Sequence, residues 1–307
     1  MRNRIITLIL SIFILVLMII YLITQKIPLE RNFIKINANI QSLFVSDIDN
    51  IYISKDEYLL KKYNKPKNTQ KIINSINNLT TNLNYINFDL ILVPSSTNIN
   101  QNKLPFSAIN YDENKTISEI YKGVYVNYID VKNKIIETSK KYPMYYKTDL
   151  TITDYNAYYL YKEYCLNNNI KEVDINSFYI NETEKFYGDL ALKTNYKKVK
   201  DTRYLFSHNP EIEIKGSKSL EYLSNEKTII TNKTLNSNNE LIIITDEYSK
   251  VISQFLINHY KKIHIINPKY YQKSIIEYIK NNPNIKDGII IYNMIELDFD
   301  IGIIGLY

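Results

Sequence analysis

The chain has 307 residues, of which 45% are hydrophobic, so it can bury a full core as one large domain or two smaller ones. Its 38 basic and 32 acidic residues give a net charge of +6 without a dense basic block, which argues against nucleic-acid binding. The single cysteine, Cys165, excludes an internal disulfide and a thiolate metal cluster, and its place in an apolar helical pattern predicts a core residue.

The amino-terminal segment is apolar over residues 5–23. The run IITLILSIFILVLMIIYLI has no charged residue and matches the roughly 20 residues that cross a bilayer as a helix. Because no small-x-small cleavage site follows it, we expect an uncleaved signal anchor within residues 1–25, followed by a stalk over residues 26–49. Arg2 and Arg4 precede the span, and this charge bias favours a single-pass protein of the cell membrane whose carboxy-terminal domain is extracytoplasmic.

Strand and helix patterns alternate from residue 50 onward. A short strand in NIYISKDEYLL is followed by a helical pattern over residues 69–85 and by the continuous apolar strand FDLILVP. The strand VYVNYID and the helix VKNKIIETSKKY repeat this unit. Thr153 is placed to cap the next helix, which begins in TDYNAYYLYKEYC.

The second half of the chain has two parts. Residues 174–239 are polar and rich in turn residues, which predicts an insertion or accessory layer. Then come the strand LIIIT, a helix from Glu247 to Lys261, the strand IHIINP, the helix YYQKSIIEYIKNN and the strand GIIIYN. Strands that alternate with helices in this way predict a three-layer α/β domain with a mostly parallel sheet over residues 50–307.

Polar segments stand at the carboxyl ends of four predicted strands. They are VPSSTN, YKTDLT, TDEYS and NPKYY. Ligands of open α/β sheets collect at this edge, so side chains of these segments are candidates for a binding site. The candidate ligand-binding residues are Ser95, Ser96, Asp149, Asp246, Glu247 and Ser249.

Several segments share the order and spacing of one family's motifs. YYKTDLTITDYNAYYLYKEY is similar to a Thr-Asp-His-His-Trp-Thr run followed by a Gly-Ala-Tyr helix, and FDLILVPSSTNINQNKLP to a strand with a Pro-Thr/Ser turn. EKFYGDLALK is similar to a Phe-x-Gly loop, and LIIITDEYSKVISQFLINHYKKIHIINPKYY to a strand, Asp-Ser-Tyr turn, helix and strand. From about residue 50 to 300 the chain thus resembles the DHHW family, envelope proteins of the SGNH hydrolase-like class.

The resemblance implies an SGNH-like fold and a role outside the membrane. The wider class includes acetyltransferases that decorate alginate and proteins that serve teichoic-acid modification beside a membrane-bound acyltransferase. It also implies the positions of a Ser-His-Asp triad. Asp149 keeps the Asp position, but Leu150 and Thr151 stand at the two His positions, Ile152 at the Trp position and Glu247 at the Ser position.

The replaced residues are poorly suited to acyl transfer. Neither Leu nor Thr acts as a general base near neutral pH, and a carboxylate is a poor substitute for an activated hydroxyl. Two of the three triad positions are therefore lost, which leaves Asp149, Thr151 and Glu247 as degenerate catalytic positions. We expect Leu150 and Ile152 to be buried and to fill part of the former cleft.

The sequence pattern does not point to residues elsewhere in the chain that could replace the missing serine and histidine. Ser249 would point away from Glu247 along a helix, and His208, His259 and His264 fit half-buried structural positions. No two His or Cys residues stand at ligand spacing on one element, so neither a metal nor a cofactor is predicted.

The acidic residues Asp149, Asp246 and Glu247 leave two interpretations open. They could form a cation site or a paired-carboxylate, glycosidase-like centre. Alternatively, Glu247 suits a helix start while the two aspartates accept from turn amides.

Three hypotheses for function follow. The first is a membrane-anchored extracytoplasmic pseudoenzyme that binds an envelope polysaccharide or teichoic acid, or a membrane-bound O-acyltransferase, without turnover. The second is an active esterase or O-acyltransferase with non-standard residues. The third is a purely structural envelope protein.

Overall fold

The computed structural model describes residues 12–17, 47–48, 50–54, 56–106, 108–207, 210–220, 223–224, 226–297 and 300–306. The predicted anchor lies outside the described residues except for 12–17, which are helical. The predicted stalk lies outside them except for Asp47–Ile48, which form a strand. In the part of the chain that is described, no helix has the length and apolar character that a membrane crossing requires.

The strands are β1 (Asp47–Ile48), β2 (Ile51–Ile53), β3 (Leu59–Lys61), β4 (Asn87–Val93), β5 (Asn127–Tyr128), β6 (Tyr179–Phe186), β7 (Asp201–Ser207), β8 (Ile212–Lys215), β9 (Lys227–Asn232), β10 (Glu240–Thr245), β11 (Lys262–Ile266) and β12 (Ile285–Asn293). The α-helices are α1 (Thr69–Asn82), α2 (Ser96–Ile99), α3 (Glu113–Gly123), α4 (Lys132–Thr138), α5 (Asp154–Asn167), α6 (Asp189–Thr194), α7 (Ser253–Leu256), α8 (Ile275–Lys280), α9 (Met294–Leu297) and α10 (Ile301–Ile304). Short 3₁₀ helices span Gln101–Lys103, Ile175–Ser177 and Lys250–Ile252.

A seven-stranded sheet with the order β5-β4-β12-β10-β11-β9-β8 forms the centre of the domain. The five strands from β5 to β11 in this order pair in parallel. Strands β9 and β8 then extend the sheet in antiparallel fashion. The mostly parallel α/β sheet predicted from the sequence is therefore confirmed.

Helices cover both faces of this sheet. Alternate strand residues point to opposite faces, so Leu90 and Ile242 belong to one buried cluster while Ile91 and Ile243 belong to the other. Helices α1, α3 and α8 contribute to the first cluster, and α4, α5 and α7 contribute to the second. Burial on both faces explains why the central strands are continuous apolar runs in the sequence.

Smaller strands lie outside this scaffold or at its edge. Strands β1, β2 and β3 form a three-stranded antiparallel sheet, and β6 pairs with β7 in an antiparallel hairpin. Residues 174–239 thus contain the hairpin and also β8 and β9, which join the central sheet. The domain bounds drawn from the sequence remain predictions.

The predicted elements differ from the structure mainly at their ends. The helix predicted over residues 69–85 ends at Asn82, and only Asn127–Tyr128 of VYVNYID form a strand, at the edge of the sheet. The predicted cap is confirmed, because the Asn156 N–H donates to Thr153 Oγ1 at 3.1 Å.

Candidate functional site

The turn after β4 is held by a buried carboxyl group. Ser95 caps α2, and its Oγ donates to Glu113 Oε2 at 2.5 Å while its N–H donates to Glu113 Oε1 at 2.9 Å. Burial raises the pKa of Glu113 to about 7, although hydrogen bonds from Ser95 and Asn98 oppose the rise. Ser96 Oγ accepts from the Asn100 side chain at 3.3 Å. The hydroxyl of Ser95 is therefore engaged within the fold.

Asp149 begins the loop that resembles the family motif, and its carboxylate is bound by backbone amides. Oδ1 accepts from the Thr151 N–H at 2.8 Å, and Oδ2 accepts from the Asp189 N–H at 2.9 Å. A carboxylate with these two partners fixes the loop against the start of α6. Asp149 therefore has a structural role here that requires no imidazole.

Gly188 allows the loop to approach α6 closely. A Cβ at this position would lie 2.4 Å from the Thr148 carbonyl oxygen and 2.5 Å from Asp149 Cβ, so no larger residue fits. The Gly188 N–H donates to Thr148 Oγ1 at 2.9 Å, and that hydroxyl donates to Asp201 Oδ2 at 2.5 Å. The segment EKFYGDLALK thus supports the Asp149 loop, which agrees with its resemblance to a family loop.

Asp246 organises the turn after β10. Its Oδ1 accepts from the N–H groups of Tyr248 and Ser249 at 2.8 and 2.7 Å, and its Oδ2 accepts from the Asn293 N–H at the end of β12. Burial raises the pKa of Asp246 to about 7, although these backbone donors oppose the rise. The Asn293 side chain also donates to the Leu150 carbonyl at 3.3 Å. Asn293 therefore joins the two motif loops.

The helix start predicted at Glu247 is wrong. Residues 247–249 form a turn, and helical structure is confined to Lys250–Ile252 and Ser253–Leu256. Asp246 Oδ1 accepts from the amides of Tyr248 and Ser249, as a helix cap does, and residues 247–249 form a turn before the 3₁₀ helix begins at Lys250. Glu247 therefore precedes the first helical residue and does not lie in a first helical turn.

Glu247 instead forms a surface ion pair. Its Oε1 lies 3.7 Å from Lys269 Nζ, and its side chain is 26% exposed. Burial lowers the pKa of Lys269, but the charges of Glu247, Glu296 and Asp300 outweigh that effect and raise it. Ser249 is fully buried, so its hydroxyl is not open to a substrate.

Leu150 at the first His position and Ile152 at the Trp position are buried, as expected. Leu150 is 6% exposed and packs in one core cluster, while Ile152 is 1% exposed and packs in the other. The main chain of Ile152 contacts the neighbouring turn, since its N–H lies 3.5 Å from the Tyr248 carbonyl oxygen. Thr151, between them, is half-buried.

The described histidines lie away from these loops. His264 donates from Nε2 to Glu240 Oε2 at 2.8 Å, so its Nδ1 accepts from the Tyr278 hydroxyl at 2.7 Å if the ring is neutral. His259 Nε2 lies 2.7 Å from the Tyr161 hydroxyl, and burial lowers its pKa. His208 falls outside the described residues.

The three carboxylates of the candidate site thus have separate partners. Asp149 and Asp246 are bound by different backbone amides, and Glu247 is paired with Lys269. This arrangement supports the structural interpretation of these acids over a shared cation or glycosidase-like centre. Within the described residues, no three His, Cys, Asp or Glu side chains are grouped so that they could hold a metal ion.

A cavity of about 580 Å³ adjoins the Asp149 loop. Thr151 and Ile152 line one side of it, and residues of β6, β7, β8, α5 and α7 line the rest. The sequence does not predict this cavity, because the cavity combines residues from the irregular segment 174–239 with the motif loop. Asn293 was also missed, although a polar residue at the end of the strand GIIIYN is a signal that the sequence contains.

The domain shares its fold with solved structures of low sequence identity. A DHHW family protein from Eubacterium siraeum has a TM-score of 0.71 at 16% identity, over 84% of this chain and 93% of that one. Bacillus cereus PatB1 with a sulfonyl adduct has a TM-score of 0.68 at 18% identity, over 84% and 99%. The O-acetyltransferase domain of Pseudomonas putida AlgJ has a TM-score of 0.54 at 12% identity, over 81% and 92%.

No protein-family model and no curated protein matches the chain. The similarity to the solved structures nevertheless extends over most of the chain and most of each neighbour. The resemblance to the DHHW family and the SGNH-like fold that it implied are therefore confirmed at the level of the fold.

Proposed function

We propose that this protein is a membrane-anchored, extracytoplasmic member of a cell-envelope O-acylation system that binds a glycopolymer without transferring an acyl group to it. Its SGNH-like domain would serve as an accessory component, with an envelope polysaccharide or teichoic acid as ligand. A membrane-bound O-acyltransferase is the partner that such a component would serve.

One observation supports the loss of catalysis above all others. At the place where the family would have a serine, a histidine and an aspartate, this chain has an ion-paired Glu247, a half-buried Thr151 and an Asp149 bound by two backbone amides. The triad mechanism needs a serine nucleophile and a histidine base, and neither residue type stands at these positions. The fold is retained while the reacting groups are replaced.

The proposed location comes from the amino-terminal sequence. Residues 5–23 contain no charge and follow two arginines, a pattern that favours an extracytoplasmic domain. Protease treatment of intact cells tests this location, with permeabilised cells as the control. A domain cut only after lysis, in cells whose wall has been removed, would contradict it.

Sulfonyl fluoride labelling and aryl acetate hydrolysis test the loss of catalysis. PatB1, whose structure contains a sulfonyl adduct, is the positive control. We expect the full chain to take no adduct and to show no turnover above its own Glu247→Ala variant. Adduct formation, or turnover that disappears in Asp149→Ala, would contradict the proposal and favour an active esterase.

Co-sedimentation with insoluble cell-wall preparations tests the binding role. Walls stripped of teichoic acid and walls stripped of secondary polysaccharide separate the two polymer classes. Retention that depends on one of these polymers is the expected result, whereas no retention on any wall preparation would support the purely structural alternative.

A further inference from the structure

The cavity beside Thr151 has the size and walls of a small-molecule site. Its volume of about 580 Å³ lies within the range of about 300 to 1,000 Å³ that such sites occupy. Its walls are mostly apolar, and they include Phe178, Leu205, Phe206, Ile212, Ile214 and Val251. Ile152 adds to this surface from the position where the family has a tryptophan. A ligand in this space would bury an apolar body.

The wall of this cavity also contains a positively charged side chain, that of Arg203. Arg203 is half-buried on β7, and it is the one arginine in the sequence beyond Arg31. Its guanidinium carbon lies 5.7 Å from the centre of the Phe186 ring. A guanidinium that packs against an aromatic ring can still form two parallel hydrogen bonds to a carboxylate.

The other charges of the cavity limit what it can accept. Lys218 adds a second positive charge from an exposed position. The ion pairs of the described residues include neither Arg203 nor Lys218. Asp154 also lines the cavity, and its Oδ1 accepts from the Gln254 side chain at 3.1 Å. Among the described residues the cavity wall thus carries two cations and one carboxylate, a net positive charge that favours an anionic ligand.

We infer that the cavity binds a small monoanionic amphiphile, a carboxylate on an alkyl chain or aromatic ring. The carboxylate pairs with Arg203, and the apolar body packs among Phe178, Phe206 and Ile214. Asp154 disfavours a second negative charge on the ligand. The inference goes beyond the proposed function, since this ligand is a small amphiphile and not the glycopolymer.

Octanoate is the probe for this site, and isothermal titration of the full chain in a non-ionic detergent is the measurement. We expect octanoate to bind, and we expect 1-octanol and acetate to bind at least about tenfold more weakly, since each lacks one of the two recognised parts. Arg203→Met should weaken octanoate binding by about tenfold or more, because it removes the charged hydrogen-bond donor of the carboxylate. Arg203→Lys should retain part of the affinity.

Lys193→Met is the matched control variant. Lys193 is an exposed cation on α6 outside the cavity, so its loss changes the net charge equally and should leave octanoate binding unchanged. All proteins share one detergent background, so partition of octanoate into micelles cancels. Absence of octanoate binding, equal affinity for octanol, or equal weakening by both substitutions would overturn the inference.

A second measurement does not depend on a folded variant. A photoreactive octanoate with a diazirine on its chain, bound to the wild-type chain, should label peptides that contain β7, β8 or α7, and unlabelled octanoate should compete. Labelling confined to other segments would overturn the inference. A negative result in the octanoate titration or in the photolabelling concerns this cavity alone, whereas sulfonyl labelling and retention on cell walls test the proposed function.

Discussion

The two ends of the central sheet hold their charged residues in different ways. At the amino ends of β10 and β11, Glu240 accepts from His264 at 2.8 Å and from Lys262 at 2.7 Å, so side chains neutralise the buried carboxylate. At the carboxyl ends, Asp149 and Asp246 accept from backbone N–H groups. The protein thus has a histidine-carboxylate pair, but at the end of the sheet opposite to the loops where ligands of such folds collect.

The pKa values reflect this difference. Burial would raise the pKa of Glu240, but the hydrogen bonds from Lys262 and His264 hold it below its ordinary value. Burial dominates at Asp246 and raises its pKa to about 7. The ionised form of Glu240 therefore stabilises the fold, whereas the ionised form of Asp246 is disfavoured by its burial.

Restoring the family residues should have the largest effect on stability. The combined change Leu150→His, Thr151→His, Ile152→Trp and Glu247→Ser places polar and oversized groups at two buried positions. Overpacking costs about 1 to 3 kcal/mol and a buried polar group costs a similar amount, so we expect a loss of about 2 to 6 kcal/mol by chemical denaturation. A variant as stable as the parent, or one with esterase activity, would show that the cleft is open.

The next largest loss of stability is expected when the hydrogen-bond network of Glu240 at the amino ends of β10 and β11 is broken. Glu240→Ala removes the acceptor of both His264 and Lys262, and leaving the buried His264 ring without its acceptor costs about 1 to 3 kcal/mol. The control Lys233→Ala should cost less than about 1 kcal/mol, because its pairs with Glu211 and Glu213 are exposed. Similar losses for the two variants in urea titrations would refute the asymmetry.

The pH dependence of the unfolding free energy should reflect the titration of Glu113, the buried acid that is hydrogen-bonded to Ser95. The pKa of Glu113 is raised to about 7, so the folded state favours the protonated acid, and this contribution is present at low pH and lost as the pH rises from about 4.5 through 7. Glu113→Gln removes the titrating group. Relative to this variant, the wild type should lose up to about 3 kcal/mol between pH 4 and 8.

Denaturant titrations at several pH values measure this difference. Asp112→Asn is the control, since Asp112 is an exposed acid directly before Glu113 at the start of α3. Parallel curves for wild type and Glu113→Gln would mean that Glu113 stays ionised in the folded protein.

The smallest effect is expected at Glu247. Its pair with Lys269 spans 3.7 Å between side chains that are 26% and 33% exposed, so Glu247→Ala should change the unfolding free energy by less than about 1 kcal/mol. The same substitution should leave octanoate binding unchanged, because Glu247 does not line the cavity. A loss comparable to that of Glu240→Ala would show that the two ends of the sheet are alike.

The sequence by itself determined the scaffold. Continuous apolar strands separated by amphipathic helices predicted a mostly parallel sheet, and Thr153 marked the start of α5, because these features depend on local periodicity and capping. The resemblance of the motif segments also predicted, without coordinates, that Leu150, Thr151 and Glu247 stand where the DHHW family has reacting groups.

Only the tertiary structure decided how those positions are used. The helix expected at Glu247 begins at Lys250 instead, after a turn in which Asp246 binds the amides of Tyr248 and Ser249, and periodicity does not reveal this turn. Likewise, Arg203 on β7 and Ile152 in the motif loop meet in one cavity although they are distant in sequence. Local patterns determine elements, whereas contacts between distant segments determine which side chains share a site, and those contacts exist only after the chain has packed.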